Sequence, residues 1–164
     1  MKQSPLHERH LARNAKMADF GGWLMPIEYP GAGVLAEHAA VRERVGLFDV
    51  SHLGKASVVG EGALEFLNSM LTNDLTKISD GAAQYSMLCN SAGGVIDDLI
   101  VYRNSDSDFF IVPIASNTSA VVADLQANAP NGITVTNLHN EYGVIALQGP
   151  LAAKVLTHFG LQIE

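Results

Sequence analysis

The sequence predicts a mixed α+β fold. Short β-branched and aliphatic runs typical of strands alternate along the chain with stretches of helical periodicity. Two strand-like runs, 85–89 and 95–102, are joined by residues 90–94, whose Asn, Ser and Gly are typical of a hairpin turn. A hairpin makes its two strands antiparallel, so we expect sheets that are not purely parallel, with helices packed on them.

Helix and strand signals alternate in the first third of the chain. Ser4 and Pro5 form a helix-start signal, with Ser as the N-cap and Pro at the first helical position. An apolar stripe at Val34, Val41 and Val45 predicts a second helix, which Gly46 is expected to end as a C′ glycine. The predicted elements are a helix over 4–14, an irregular Gly-, Pro- and aromatic-rich segment over 17–33, a helix over 34–45 and a strand over 47–50.

The remaining elements follow from the same signals. Leu64, Leu67 and Leu71 lie on one side of a predicted helix. Ser116 with Asn117 is expected to cap another, which stops before Pro130. The predicted strands are 54–59, 85–89, 95–102, 109–114, 133–138 and 142–147, and the helices are 62–71, 116–129 and 151–159. A strand-like start at 161–163 is unfinished, which predicts the first part of a longer protein.

Composition excludes several classes of protein. Of 164 residues, 48% are hydrophobic and 16% charged, which favours a well-buried globular protein over disorder. The net charge of −7, without a Lys/Arg cluster, argues against a nucleic-acid partner. The single cysteine, Cys89, excludes an internal disulfide framework and fits a reducing cytoplasm. No signal peptide and no run of about 18 apolar residues occur, so we expect a cytoplasmic protein outside the membrane.

Two adjacent acids, Asp97 and Asp98, lie inside the apolar strand 95–102. Side chains alternate along a strand, so Asp97 is expected to share one apolar face with Leu99 and Asp98 the other with Ile100. An ionised carboxylate buried without partners costs several kcal/mol, so a retained acid is a candidate functional group. The alternative is that the two acids only make a strand edge soluble. A different strand register would exchange the faces, and so the roles, of Asp97 and Asp98.

Other candidate residues are weaker. His7 and His10 could share a helix face, but with no third ligand nearby we expect surface residues and no metal site. There is no dinucleotide-binding glycine pattern and no nucleophile elbow. Tyr85 and Tyr102 are either ordinary strand aromatics or contacts to a flat aromatic ligand.

Five motifs occur in the order seen in one protein family. They are AKMADFGGWLMP (15–26), VGLFDVSH (45–52), TND (72–74), the strand pair YSMLCN with GGVIDDL (85–90 and 93–99), and ALQGP (146–150). Together they resemble the T-proteins of the glycine cleavage system, which are aminomethyltransferases. The resemblance covers the whole chain and about the first half of the family's length.

The resemblance implies a three-domain cloverleaf around a tetrahydrofolate. Residues 1–50 would open domain 1, residues 51–139 would form domain 2, and residues 140–164 would return to domain 1, truncated. The family takes an aminomethyl group from a lipoyl arm on the partner H-protein. The methylene passes to tetrahydrofolate and ammonia is released, a step of glycine catabolism and one-carbon metabolism.

The resemblance also implies roles for particular residues. Asp98 matches the family's substrate-binding aspartate, which would help remove a proton from the pterin nitrogens. Tyr85 and Tyr102 match tyrosines lining the folate site, and Leu53 stands where the family often has Met. Ile114 replaces a common Asn, which removes one polar ligand contact, and the residues that grip the pterin and the glutamate tail lie beyond Glu164.

Two other functions share this fold. One is a non-enzymatic folate-binding protein that supports iron–sulfur cluster assembly; it usually lacks the Gly-Gly-x-x-Asp-Asp strand, which is present here at 93–98. The other is the folate domain of an enzyme that oxidises dimethylglycine or sarcosine. That domain normally follows a large flavin domain, whereas Met1 opens the motif series here.

Overall fold

The computed structural model describes residues 1–31 and 33–161. The chain divides into two compact units, one made of Met1–His52 with Gly143–Glu164 and the other of Leu53–Tyr142. The strands are β1 (Lys2–Gln3), β2 (Lys16–Phe20), β3 (Trp23–Glu28), β4 (Gly46–Asp49), β5 (Ala56–Val59), β6 (Ala83–Cys89), β7 (Val95–Ser105), β8 (Asp108–Val112), β9 (Thr134–Asn137) and β10 (Ile145–Gln148). The helices are α1 (His7–Leu11), α2 (Gly33–Glu43), α3 (Ala63–Met70), α4 (Thr118–Asn128) and α5 (Ala152–His158), with a 3₁₀ turn at Leu75–Lys77.

The unit of residues 53–142 is built on one five-stranded sheet. Its strand order is β6-β7-β8-β5-β9, and every neighbouring pair is antiparallel. Helices α3 and α4 supply apolar side chains to the core on one face of this sheet, because both carry apolar residues at helical spacing. The core side chains with no more than 1% exposure include Val58, Leu67, Leu99, Val101, Phe109, Ile111 and Leu125.

The predicted α+β class is confirmed, and the hairpin of 85–102 is present as β6 and β7. Its turn is held by Asn90, whose side-chain Oδ1 accepts hydrogen bonds from the backbone N–H groups of Ala92 and Gly94. Gly93 has a φ of 81°, a conformation that favours glycine. The turn chemistry of the sequence therefore fixes the register of the two strands that carry the acids.

The unit that contains residues 1–52 and 143–161 holds two small sheets. In one, β3 lies between β1 and β2, pairing parallel with β1 and antiparallel with β2. In the other, β4 and β10 pair antiparallel. The predicted irregular segment 17–33 is therefore wrong over most of its length. Gly21 and Gly22 both adopt positive φ between the paired Phe20 and Trp23, as a tight hairpin turn requires.

Ser4 and Gly46, which the sequence predicts to begin and end helices, have other roles in the structure. Ser4 lies before α1, which is shorter than predicted, and its hydroxyl accepts a hydrogen bond from the Leu6 N–H at 3.0 Å. Gly46 is not a C′ glycine but the first residue of β4, where a Cβ would lie 2.4 Å from Val41 Cγ2. Glycine is needed there for close approach of strand and helix. The predicted strand start at 161–163 falls almost wholly outside the described residues.

Within the described part of the chain, none of the helices has the length and apolar character needed to cross a bilayer.

Candidate functional site

The two adjacent acids of β7 lie on opposite faces of the five-stranded sheet, as strand alternation predicts. Asp97 shares the covered face with Leu99 and Val101, and only 2% of Asp97 is exposed. Asp98 shares the other face with Ile100 and Tyr102, which are 36% and 42% exposed. We call this second face, which carries Tyr85, Asp98 and Tyr102, the open face. The two carboxylates therefore have different environments.

Asp97 is an anchor for the segment that follows β8. Its Oδ2 accepts a hydrogen bond from the Ile114 N–H at 2.9 Å, and its Oδ1 accepts one from Asn117 Nδ2 at 2.7 Å. Burial raises the pKa of the Asp97 carboxyl, although these two hydrogen bonds act in the opposite direction. Asn117 is the N-cap residue of α4, as predicted, but its side chain binds Asp97 instead of the helix backbone, which fixes the start of α4 to β7.

Replacing Asp97 with Asn should lower the free energy of unfolding by about 1–3 kcal/mol. Asn offers one carbonyl oxygen to two donors, so either the Ile114 N–H or the Asn117 amide faces an NH₂ group instead of an acceptor. Urea unfolding followed by circular dichroism measures the loss, with the exposed Glu61→Gln as the control. A stability within about 0.5 kcal/mol of the parent would contradict the anchoring role.

Asp98 is bound by a tyrosine from the neighbouring strand. Met87 lies directly opposite Asp98 and Tyr85 opposite Ile100, so Tyr85 and Asp98 are diagonal neighbours on the open face. The Tyr85 hydroxyl donates a hydrogen bond to Asp98 Oδ2. This bond raises the pKa of Tyr85, with further contributions from desolvation and from the negative charges of both acids. Tyr85 remains 58% exposed, so the pair is accessible.

Aromatic side chains continue across the open face from this pair. Tyr102 is paired with Phe110 across β7 and β8, and their ring centroids are 6.4 Å apart in an edge-on arrangement. The Phe110 ring in turn contacts Tyr142 edge-on, at 5.9 Å. Exposed aromatic rings can stack on a flat, nitrogen-bearing ring, and the neighbouring carboxylate can accept hydrogen bonds from its N–H groups.

Leu53 and Ile114 lie near the end of β8. Val112 pairs with Ile100, so the chain after Val112 runs on toward the end of the sheet at which Asp98 lies. Gly54, which follows Leu53, donates its N–H to Pro113 O at 2.8 Å. The half-buried Leu53 and the 39%-exposed Ile114 are thereby brought to this end of the sheet. The open face brings together Tyr85, Asp98 and Tyr102, with Leu53 near the chain segment that follows β8.

A buried polar network in the other unit was not predicted. Asp49 has a side chain only 1% exposed and accepts hydrogen bonds from the Ser4 hydroxyl, from His10 Nε2 at 2.8 Å and from the Ser51 N–H at 3.0 Å. His10 Nδ1 lies 2.7 Å from the Tyr29 hydroxyl. The expectation that His7 and His10 are surface residues is wrong, since they are 8% and 6% exposed. The sequence signal that could have indicated this network is the acid Asp49 within the apolar run 47–50.

The hydrogen bonds outweigh burial at Asp49. Burial alone would raise the pKa of this carboxyl, but the bonds from Ser4, Ser51 and His10 bring the pKa below its usual value of 3.8. Asp49 and Tyr29 also line a cavity of about 500 Å³, whose other walls are mostly apolar side chains of β3, α2 and β4. The network connects His10 of α1 with Asp49 of β4 and with Tyr29, the residue that follows β3.

Several known proteins are similar to this chain. The aminomethyltransferase of Parafrankia sp. is 58% identical over 164 residues, which is 100% of this chain and 45% of that protein. The aminomethyltransferase of Mycobacterium bovis is 58% identical over 160 residues, 98% of this chain and 43% of that protein. The chain therefore spans less than half the length of these curated relatives.

A solved structure agrees with the sequence relatives. The crystal structure of glycine cleavage system aminomethyltransferase T from Bartonella henselae matches with a TM-score of 0.93 at 41% identity. The match covers 99% of this chain and 44% of that one. The fold of this chain is thus that of a part of the solved protein. Residues 6–162 match the family described as GCVT N-terminal domain, and because this is almost the whole sequence, the chain belongs to that family.

Proposed function

We propose that a protein of the relatives' length containing this chain is an aminomethyltransferase of the glycine cleavage system. It transfers the methylene of an aminomethyl group, carried on the lipoyl arm of H-protein, to tetrahydrofolate, and ammonia leaves. The observation that carries the proposal is the Asp98 carboxylate on an open face lined by Tyr85 and Tyr102. The names of the relatives favour this function over iron–sulfur cluster assembly or dimethylglycine and sarcosine oxidation.

In this proposal Asp98 is the group that accepts a proton. A nitrogen of tetrahydrofolate must lose a proton as it bonds to the methylene carbon, and an acceptor within hydrogen-bond reach lowers the barrier to that step. Asp98 supports this role because it is half-buried on the open face, whereas the carboxylate of Asp97 is fully engaged by Ile114 and Asn117.

The flat pterin is proposed to bind against the open face. Tyr85 and Tyr102 offer exposed rings for contact, and Leu53 adds an apolar contact near the end of β8. Ile114 presents a hydrocarbon side chain where the family often presents an amide, so we propose that this position contributes packing only.

Partners and location belong to the same proposal. H-protein with its lipoyl arm would be the protein partner and tetrahydrofolate the small-molecule partner, in the cytoplasm. The predicted assignment of 1–50 and 140–164 to domain 1 and of 51–139 to domain 2 of a three-domain cloverleaf stays a prediction.

A chimera tests the proposed activity. Residues 1–164 would replace the matching part of the Parafrankia aminomethyltransferase, to which the chain is 58% identical. We expect tetrahydrofolate-dependent ammonia release when the chimera is supplied with aminomethyl-lipoyl H-protein. Unloaded H-protein is the control. A folded chimera that binds tetrahydrofolate but releases no ammonia would contradict the proposal.

The 164-residue chain alone should bind tetrahydrofolate poorly and self-associate. Asp98 and the two tyrosines lie on an exposed face, and within the described residues α2 and α5 contain no buried side chain. Leu35, Leu47 and Phe159 are 87%, 68% and 75% exposed, and large apolar patches seldom stay uncovered. Calorimetric titration and light scattering measure both properties. Binding at about micromolar affinity by a monodisperse monomer would contradict this expectation.

A further inference from the structure

The outer edge of β6 is held by the segment 71–73. Strand β6 is the outermost strand of its sheet, and Leu71 forms a bridge with Leu88 along that edge. The Thr72 N–H donates to Met87 O at 3.0 Å, and Thr72 Oγ1 accepts from the Met87 N–H at 3.2 Å. The segment therefore satisfies backbone groups of an edge strand that would otherwise be left to solvent.

Asn73 continues these contacts to the residue that binds Asp98. Its backbone N–H donates to Ser86 Oγ at 3.0 Å, and its side-chain Nδ2 donates to Tyr85 O at 3.0 Å. The backbone of Tyr85 is thus held by a side-chain amide on the outer side of β6, while the strand itself pairs with β7 on the inner side. A backbone fixed in this way limits where the tyrosine hydroxyl can reach.

The hydroxyl of Tyr85 determines the orientation of Asp98. A carboxylate on an exposed strand face can populate more than one χ1 rotamer, and a directed donor selects one of them. The bond from Tyr85 goes to Oδ2, and Oδ1 remains an acceptor that can bind a substrate N–H.

We propose that Tyr85 is a positioning residue for Asp98 and that Asn73 anchors Tyr85 for this task. The proposal rests on the proposed function of Asp98 as proton acceptor. It assigns a purpose to Asn73 within the motif 72–74, in which Thr72 covers the strand edge and Asp74 caps the following 3₁₀ turn. Preorganising the acceptor before the substrate arrives avoids an ordering cost during reaction.

Several ionisable residues lie near Tyr85 and Asp98. Asp97 is adjacent in the chain, with its carboxylate on the covered face, and Tyr102 lies on the open face. Asp74 and Lys77 lie in the segment after Asn73, where Lys77 Nζ is 3.9 Å from Asp74 Oδ2. The hydrogen bond to Asp98 holds the pKa of Tyr85 above its usual value of 10.0, with smaller contributions from desolvation and from the negative charges of Asp98 and Asp97.

The experiment measures the rotamer of Asp98 in the 164-residue chain by three-bond NMR couplings about χ1. We expect a single rotamer in the parent and rotamer averaging in Tyr85→Phe, which keeps the exposed ring and removes only the hydroxyl. Asn73→Ala should also give averaging and should lower the pH at which Tyr85 ionises, read as the difference between ultraviolet titrations with Tyr85 present and with Tyr85→Phe, because the chain has four tyrosines. Tyr102→Phe is the matched control and should leave the Asp98 couplings unchanged.

Each outcome decides one part of the proposal. Averaged couplings in the parent, or unchanged couplings in Tyr85→Phe, would overturn the role of Tyr85. Unchanged couplings and an unchanged Tyr85 ionisation in Asn73→Ala would overturn the anchor. A melting temperature unchanged in Tyr85→Phe separates positioning from stability. The NMR measurement contains no folate and does not depend on activity. If Asp98 is ordered in the chain but the chimera is inactive, only the proposed function is contradicted.

Discussion

Replacing Asp98 with Asn should lower the rate of aminomethyl transfer by the chimera by about 100-fold or more, the usual range for a positioned general base. Asn has the same shape as Asp and can still accept one hydrogen bond from Tyr85, but it cannot take a proton from a substrate nitrogen. We expect kcat to fall more than tetrahydrofolate affinity. Steady-state ammonia release against tetrahydrofolate concentration measures both quantities.

The matched control is Asp108→Asn, which changes another half-buried acid of the same sheet, at the start of β8. Its rate should stay within about twofold of the parent, since Asp108 pairs with Ser105 at the end of β7 away from Asp98, and changes away from the reacting groups usually have small effects. Full activity in Asp98→Asn would show that a different group accepts the proton.

Replacing Asp49 with Ala should lower the free energy of unfolding of its unit by about 3–5 kcal/mol, because several buried donors lose a charged acceptor. The Ser4 hydroxyl, His10 Nε2 and the Ser51 N–H would all lose their acceptor. The only tryptophan, Trp23, is 4% exposed in β3 of this unit, so its fluorescence during urea unfolding reports the change.

The same carboxylate makes stability depend on pH. Its pKa is below 3.8 in the folded state, so Asp49 contributes stability above the unfolded value of 3.8, and this contribution is lost as the pH falls through the folded value. The difference between parent and Asp49→Ala should therefore shrink below pH 3.8, and the exposed Glu43→Gln is the control. A difference that stays constant down to acid unfolding would show that the carboxylate acts through packing alone.

The acids of β7 show how far strand periodicity reaches. Alternation alone predicts that Asp97 and Asp98 lie on opposite faces, and the structure confirms it. The sequence pattern predicts that both faces of β7 are apolar, but only the face that carries Asp97 is covered by helices. Which face receives α3 and α4 depends on how the chain crosses over the sheet, and local patterning does not encode that crossing.

The failures have two physical causes. Residues 17–28 form a hairpin around the local turn Gly21–Gly22, a signal that the Pro- and aromatic-rich composition obscured, whereas the other failures depend on partners far away in sequence. His10 is buried because Asp49, 39 residues later, accepts its hydrogen bond. Asn117 occupies the predicted N-cap position, but its side chain binds the charged acceptor Asp97 of β7 instead of the helix backbone.

The sequence by itself determined the α+β class, the β6–β7 hairpin, the opposite facing of the two acids and, through its motifs, the family. The first three follow from interactions between residues near one another in the chain, where turn chemistry and periodicity act directly. Only the tertiary structure decided which acid is buried, that Tyr85 binds Asp98, and that Asn73 holds Tyr85 at the sheet edge. Those contacts depend on strand register and on which surfaces become covered, and both are set by the packing of the whole unit.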